Sequence, residues 1–118
     1  MPKNTKESSR MTRTSTRSLR VSKEQAAGYL GKVPEDKAFW CHDGAVLRDM
    51  RELKEALAAM SDQTYAYHSN AIKNDFSHWV RDIIGDDKLA NDMESAASRE
   101  EAVKIVEKRY SLLSKAAG

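Results

Sequence analysis

The chain has 118 residues, 32% of them charged, and a formal net charge of +2. This is the length of one domain, and it contains no run of 18 apolar residues and no apolar leader segment, so the sequence argues against a large multidomain enzyme, a membrane span and a secretory signal. A single cysteine cannot form an intramolecular disulfide, which fits a reducing compartment, and we expect a cytoplasmic protein.

The first 21 residues differ in composition from the rest of the chain. They hold six cations and one acid, a net charge of +5, which leaves −3 for the remainder. They are rich in Ser and Thr, and their few apolar side chains do not offset the entropy lost on ordering. We therefore predict a disordered basic arm over residues 1–21 and a single compact helical domain over 22–118. The cations that could neutralise phosphates are Lys3, Lys6, Arg10, Arg13, Arg17 and Arg20. A merely solubilising tail is the alternative.

A short helix is predicted directly after the arm. Ser22 and Gln25 have the spacing of a capping box, and apolar residues then recur on one helical face, which predicts a helix over about residues 23–30. Gly31 is placed to take the left-handed conformation that ends many helices. Pro34 follows at a point where the helix can no longer continue.

Residues 38–47 have the pattern of a small β-hairpin. Asp43 and Gly44 lie between two short apolar runs and favour a two-residue type I′ turn. An isolated hairpin is marginally stable in water. We therefore expect this one to pack on the helices.

The only cysteine of the chain lies in this hairpin. Cys41 and His42 are neighbours, but adjacent residues on a strand point to opposite faces, so the two do not form a thiol–imidazole dyad. A cysteine between aromatic neighbours is typically a small buried apolar residue. Cys41 could instead meet His68 or His78 across the fold, but a zinc site built from it and all three histidines matches no recognised ligand spacing.

Each later helix has its own start signal. The residues expected to cap these helices are Asp49, Ser61, Asn74 or Asp75, Asp86 and Ser98. The most regular pattern predicts a central core helix closed by Gly85, with apolar side chains at Phe76, Trp79, Val80, Ile83 and Ile84. The next helix is predicted to place its apolar face at Leu89, Ala90, Met93 and Ala97. The expected fold is mainly α, with four to five short helices around one core and the small hairpin.

One polar stripe on the predicted core helix is a candidate for chemistry. Asp75, His78 and Asp82 are spaced i, i+3, i+7, which places two carboxylates and an imidazole on one side of the helix. They could bind a divalent metal or provide a general base. A metal site needs further ligands, and the sequence supplies no recognised spacing for them. We expect these residues to be structural or solvated, with no cofactor.

Two features of the predicted domain could indicate nucleic-acid binding. The turn at Gly85 could join a helix-turn-helix, but the second helix carries four acids against Lys88, which phosphates would repel. A set of aromatic residues could instead stack on bases. Its members are Trp40, Tyr65, Tyr67 and Trp79, of which Trp79 belongs to the apolar stripe and is expected in the core.

Much of the chain also resembles a known family. The residues that carry the resemblance are HDG at 42–44, LRDMRELKEALAAM at 47–60, YHSN at 67–70 and NDFSHWVRDIIGDDKLA at 74–90. The segment from Phe39 to about Tyr110 resembles a family of small domains of unknown function found in archaea and bacteria. The resemblance implies a compact, mostly helical domain with no assigned reaction and no catalytic residue. The basic arm lies outside it.

The leading functional hypothesis is a non-enzymatic binding or adaptor module. Its folded part is expected to dock a protein partner, and its arm to make weak, non-specific contact with RNA or DNA. No membrane contact is expected. The rival is a metal-assisted or acid–base enzyme that uses Asp75, His78 and Asp82.

Overall fold

The computed structural model describes residues 20–118, and 66% of these residues are helical. The predicted mainly α class with a small hairpin is confirmed, and the described residues contain six helices rather than four or five. The helices are α1 (Lys23–Leu30), α2 (Met50–Ala59), α3 (Asp62–His68), α4 (Asp75–Trp79), α5 (Asp87–Glu94) and α6 (Arg99–Ala117). A 3₁₀ turn, Glu35–Lys37, precedes the hairpin strands β1 (Phe39–Trp40) and β2 (Val46–Leu47).

Side-chain caps begin all six helices. The capping box of α1 is confirmed, because the Ser22 hydroxyl accepts from the backbone N–H of Gln25 at 3.0 Å and the Gln25 side chain accepts from the backbone N–H of Ser22 at 3.1 Å. The predicted left-handed Gly31 is wrong: its φ of −71° and ψ of 160° are extended. The chain therefore leaves α1 straight toward Pro34 instead of turning back on the helix.

The hairpin is confirmed, but its loop differs from the predicted two-residue turn. The backbone N–H of Cys41 donates to the Ala45 carbonyl at 2.8 Å, and that of Gly44 donates to the Cys41 carbonyl at 2.9 Å, which closes a three-residue loop over 42–44. Gly44 has a φ of +97°, a conformation that costs a side-chain-bearing residue strain. A three-residue loop with one such glycine is the next commonest hairpin connection after the primed turns.

The predicted core helix is less regular than its sequence pattern. After Trp79 the helix widens into a π turn, Val80–Ile84, and Gly85 ends it with a φ of +90°. Phe76, Trp79 and Val80 are buried as predicted, but Ile83 and Ile84 are only partly buried. In a π turn the backbone hydrogen bonds join residues five positions apart, and this rotates the later side chains away from the face that a period of 3.6 residues would give them.

A buried ion pair joins the start of α5 to α6. Asp86 caps α5 through the backbone N–H of Leu89 and accepts two hydrogen bonds from Arg109, both at 2.8 Å. Asp86 is almost fully buried. Such a pair is costly to break, because the remaining partner stays buried without its counter-charge.

The core lies between these elements. α6 packs on α1, α2 and α5, and α4 packs on α5. Leu89, Ala90 and Met93 are buried as predicted, whereas α5 ends at Glu94 and Ala97 is exposed, so the expected apolar role of Ala97 is wrong. Among the described residues no helix has the length and apolar character needed to cross a membrane.

Candidate functional site

A buried histidine joins the hairpin, α3 and α4. His68, at the last position of α3, accepts a hydrogen bond at Nε2 from the backbone N–H of His42 at 2.9 Å. Its other ring nitrogen, Nδ1, lies 3.0 Å from a carboxylate oxygen of Asp75. Since Nε2 is an acceptor, the ring proton lies on Nδ1 and is donated to Asp75. Both ring nitrogens are therefore occupied.

The carboxylate of Asp75 has a second partner. Lys73 Nζ lies 3.1 Å from the same Asp75 oxygen that faces His68. Burial alone raises the pKa of this carboxyl, but the hydrogen bonds from His68 and Lys73 and the positive charge of Lys73 outweigh it, so the pKa of Asp75 lies below its usual value. Asp75 is thus held as a carboxylate that fixes the histidine.

The three residues of the polar stripe face different surroundings. Asp75 pairs with His68 and Lys73, whereas His78 is exposed and lines an open cavity of about 460 Å³ together with Glu94. Asp82 is exposed and lies beyond the start of the π turn. Within residues 20–118 no group of three or more His, Cys, Asp and Glu side chains is placed to hold a metal ion.

Cys41 lies on the inner face of the hairpin. It is buried, and burial together with the nearby charge of Asp43 raises the pKa of its thiol to about 11. A thiol with this pKa is almost fully protonated at neutral pH and is a poor nucleophile or metal ligand. This agrees with the expectation of a small buried apolar residue.

The outer face of the hairpin carries aromatic side chains in solvent. Burial alternates along the chain: Phe39 and Cys41 are buried, while Trp40 and His42 are exposed, Trp40 to 70%. Trp40 is the last residue of β1 and His42 is the first residue of the loop, and both are exposed to solvent. Tryptophan is on average highly buried, so an exposed tryptophan is a candidate for contact with a ligand or a partner.

A residue of α3 extends this face. The ring of Tyr67 stacks on that of His42, with centroids 3.9 Å apart and planes 14° from parallel, and Lys73 Nζ lies 5.0 Å from the Tyr67 centroid. Tyr67 is 51% exposed. We call Trp40, His42 and Tyr67 the aromatic surface. The bond from the His42 backbone to His68 fixes this surface to the buried histidine beneath it.

The loop between α3 and α4 is held in one shape beside this surface. The Asn70 side chain accepts from the backbone N–H groups of Ile72 and Lys73 and donates to the Ala66 carbonyl. A backbone bridge pairs Ser69 with Asn74. Ile72, beside Lys73, is 94% exposed. A fully exposed apolar residue on a braced loop adds to the apolar area outside the core.

The structure divides the aromatic residues that the sequence grouped together. Tyr65 and Trp79 are buried, and Trp79 Nε1 donates to the Lys37 carbonyl at 2.8 Å, while Trp40 and Tyr67 are exposed. His42 was not predicted as a member of this surface. The alternation from Phe39 to His42 was the available signal.

Five of the six arm cations lie outside the described residues. The exception, Arg20, is exposed and lines a cavity of about 180 Å³ with Gly85, Asp86 and Arg109. Phosphate contact by Lys3, Lys6, Arg10, Arg13 and Arg17 therefore stays a prediction from composition.

Comparison with known proteins adds no relative to this picture. No family model, curated protein or solved structure matches the chain significantly. The resemblance to small helical domains of unknown function stays a prediction.

Proposed function

We propose that the protein is a non-catalytic binding module of the cytoplasm whose folded domain docks a protein partner through the aromatic surface. The observation that carries the proposal is the exposure of Trp40 at the end of β1 and of Tyr67, whose ring stacks on that of His42. Tryptophan and tyrosine are enriched among the residues that contribute most to protein–protein affinity. They offer large contact areas and lose little conformational entropy on binding.

The arrangement of the surface supports docking rather than chemistry. His42 is stacked on Tyr67, and His68 uses both ring nitrogens to hold Asp75 and the hairpin. A general base needs a nitrogen or oxygen that can reach a substrate proton. The buried histidine instead fixes the geometry of the outer rings, which lowers the ordering cost of binding.

The basic arm adds a second, weaker contact in this proposal. Its net charge of +5 lies next to a domain of −3, so phosphate attraction is concentrated at one end of the chain. No base-reading element accompanies the arm, and we expect binding to RNA or DNA that is indifferent to sequence, with a dissociation constant of about 10⁻⁴ to 10⁻⁶ M at physiological salt.

A crosslinking pull-down from cell extract, with and without nuclease, tests the protein half. The full chain is compared with a Trp40→Ala, Tyr67→Ala double variant and with Lys23→Ala, a control at an exposed residue at the start of α1. We expect a nuclease-resistant protein partner that the control retains and the double variant loses. Equal recovery of the partner by all three proteins would contradict docking at the aromatic surface.

Removal of residues 1–21 tests the arm. If all six cations contact duplex phosphates, the slope of log affinity against log salt concentration is no steeper than about −5, and fewer contacts make it shallower. The truncated chain should lose this binding. A truncated domain that binds nucleic acid as well as the full chain would contradict the assignment.

The rival enzyme that uses Asp75, His78 and Asp82 gains no specific support from the geometry, because these side chains face different partners. Metal analysis of the purified protein separates the two ideas. Stoichiometric metal that is lost in His78→Ala would favour the enzyme and overturn the binding module.

A further inference from the structure

A groove between α5 and α6 is chemically distinct from the aromatic surface. Ile105 and Leu112 form its apolar part, and it encloses about 280 Å³. Leu112 is 43% exposed and Ile105 is partly buried. These two residues are seven positions apart on α6 and so lie on one face, two turns from each other.

Charged side chains border this groove asymmetrically. On α5, Lys88 is paired with Asp92 at 2.6 Å. On α6, Arg109 is turned inward to the buried Asp86. On α6, Lys108 lines the groove and none of the ion pairs among residues 20–118 includes it. The α6 border is therefore positive, and the α5 border is an internally neutralised pair.

Lys108 belongs to a row. Lys104, Lys108 and Lys115 are spaced i, i+4, i+11 on α6, which places them along one edge beside the apolar residues. All three are exposed, and no ion pair in the described part of the chain involves Lys104 or Lys115. Three exposed lysines thus lie beside the apolar residues of α6, with Glu100 and Glu101 one turn before Lys104, on a domain whose overall charge is negative.

We propose that this groove is a second docking surface and that its ligand is an acidic amphipathic helix of a partner protein. An amphipathic helix docks by laying apolar anchors at i, i+3/i+4 and i+7 into an apolar groove, and the spacing of Ile105 and Leu112 by two turns matches that of such anchors. Carboxylates next to those anchors would meet the lysine row. Lys104 and Lys115 are eleven residues apart, or about 16 Å, so about three turns of partner helix are enough.

This surface would give the protein two contacts of different character. The aromatic surface offers rigid rings with one cation, whereas the groove offers aliphatic side chains with a line of cations. A chain that holds two partners at once acts as an adaptor.

Methyl and amide NMR of the isotopically labelled full chain tests the proposal directly. The probe is a synthetic 14-residue peptide of Glu, Leu and Ala with Leu at i, i+3, i+7, and the control peptide has Lys in place of each Glu. We expect the acidic peptide to shift the methyl signals of Ile105 and Leu112 and to bind more weakly as salt rises. The basic peptide should cause no such shifts.

Two substitutions localise the contact. Lys108→Glu should weaken binding about tenfold, which corresponds to about 1.4 kcal/mol, and Leu112→Ala should weaken it severalfold. Lys23→Glu, at the exposed start of α1, makes the same charge change and should bind as the wild type does. Circular dichroism checks that every variant is folded, and Trp40→Ala should leave peptide binding unchanged.

Several results would overturn the proposal. They are equal binding of the acidic and basic peptides, shifts that map away from Ile105 and Leu112, or wild-type affinity in Lys108→Glu. Vesicles of phosphatidylserine and phosphatidylcholine provide a further arm, because a basic apolar strip is also a pattern of membrane-surface helices. Vesicle binding that depends on Lys108, without peptide binding, would assign the groove to a membrane and reject the helix.

Discussion

The inner and outer faces of one hairpin differ sharply in what their residues do. Phe39 and Cys41 face the core, and the Phe39 ring contacts those of Phe76 and Trp79, whereas Trp40 and His42 face solvent. The two tryptophans of the chain show the same division, because Trp79 is buried and hydrogen-bonded while Trp40 is 70% exposed. Residue type alone therefore does not separate a stabilising aromatic side chain from one available for binding; the position of each residue on its strand or helix does.

The inner side of this comparison predicts the largest effect. Trp79→Ala should lower the free energy of unfolding by about 3 to 5 kcal/mol, because it removes a buried ring and leaves a cavity. Trp79→Phe keeps most of the ring and loses the hydrogen bond to the Lys37 carbonyl, so a smaller loss of about 1 kcal/mol is expected for that bond. Urea denaturation measures both. Near-wild-type stability of Trp79→Ala would contradict the conclusion that Trp79 stabilises the core and Trp40 does not.

The turn that connects the two faces predicts an intermediate effect. Gly44→Val places a β-branched residue at a φ of +97° and should cost about 1 to 2 kcal/mol or more, although a Cβ there meets no atom within 4 Å. The loss is thus one of backbone strain rather than of a clash. The control is Gly28→Ala, at a glycine within α1 where an added Cβ meets no atom within 4 Å. Thermal denaturation measures both variants. An unchanged melting temperature in Gly44→Val would contradict the loop.

The carboxylate beneath the hairpin predicts a pH-dependent effect. The pKa of Asp75 is lowered on folding, so its contribution to stability is present above the unfolded-state pKa of about 3.9 and is lost as the pH falls through the lowered value. Asp75→Asn should therefore reduce the loss of stability in acid, measured by urea denaturation between about pH 6 and pH 2.5. Asp82→Asn changes an exposed carboxylate and is the control. Parallel pH curves for Asp75→Asn and wild type would show that the contact with His68 is not formed.

The outer face predicts the smallest effect on stability. Trp40→Ala should change the free energy of unfolding by no more than about 0.5 kcal/mol, because an exposed side chain has few contacts to lose. Chemical denaturation of this variant beside Trp79→Ala makes the comparison within one experiment. A loss of several kcal/mol in Trp40→Ala would assign the outer face to folding instead of binding.

Local signals in the sequence predicted most of the fold. The caps at Ser22, Asp49, Ser61, Asp86 and Ser98 are formed, because each depends on a side chain and a backbone N–H three residues away. The hairpin and the buried positions of the core helices follow from short-range periodicity in the same way.

Features that depend on distant partners were not predicted. The contact of His68 with the hairpin backbone spans 26 residues, and the pair of Asp86 with Arg109 spans 23. The π turn after Trp79 changes which side chains face the core, although the sequence of this segment is typical of an ordinary α-helix. The separation of Asp75 from His78 and Asp82 likewise depends on His68 and Lys73 outside the stripe.

Fluorescence of a chain with one tryptophan tests most directly whether the outer face docks a protein. Trp79→Phe leaves Trp40 as the only tryptophan, so its emission reports the aromatic surface alone. On addition of the partner recovered by crosslinking, we expect the emission to move to shorter wavelength and its quenching by acrylamide to fall. Unchanged emission and unchanged quenching at saturating partner would contradict docking at the aromatic surface.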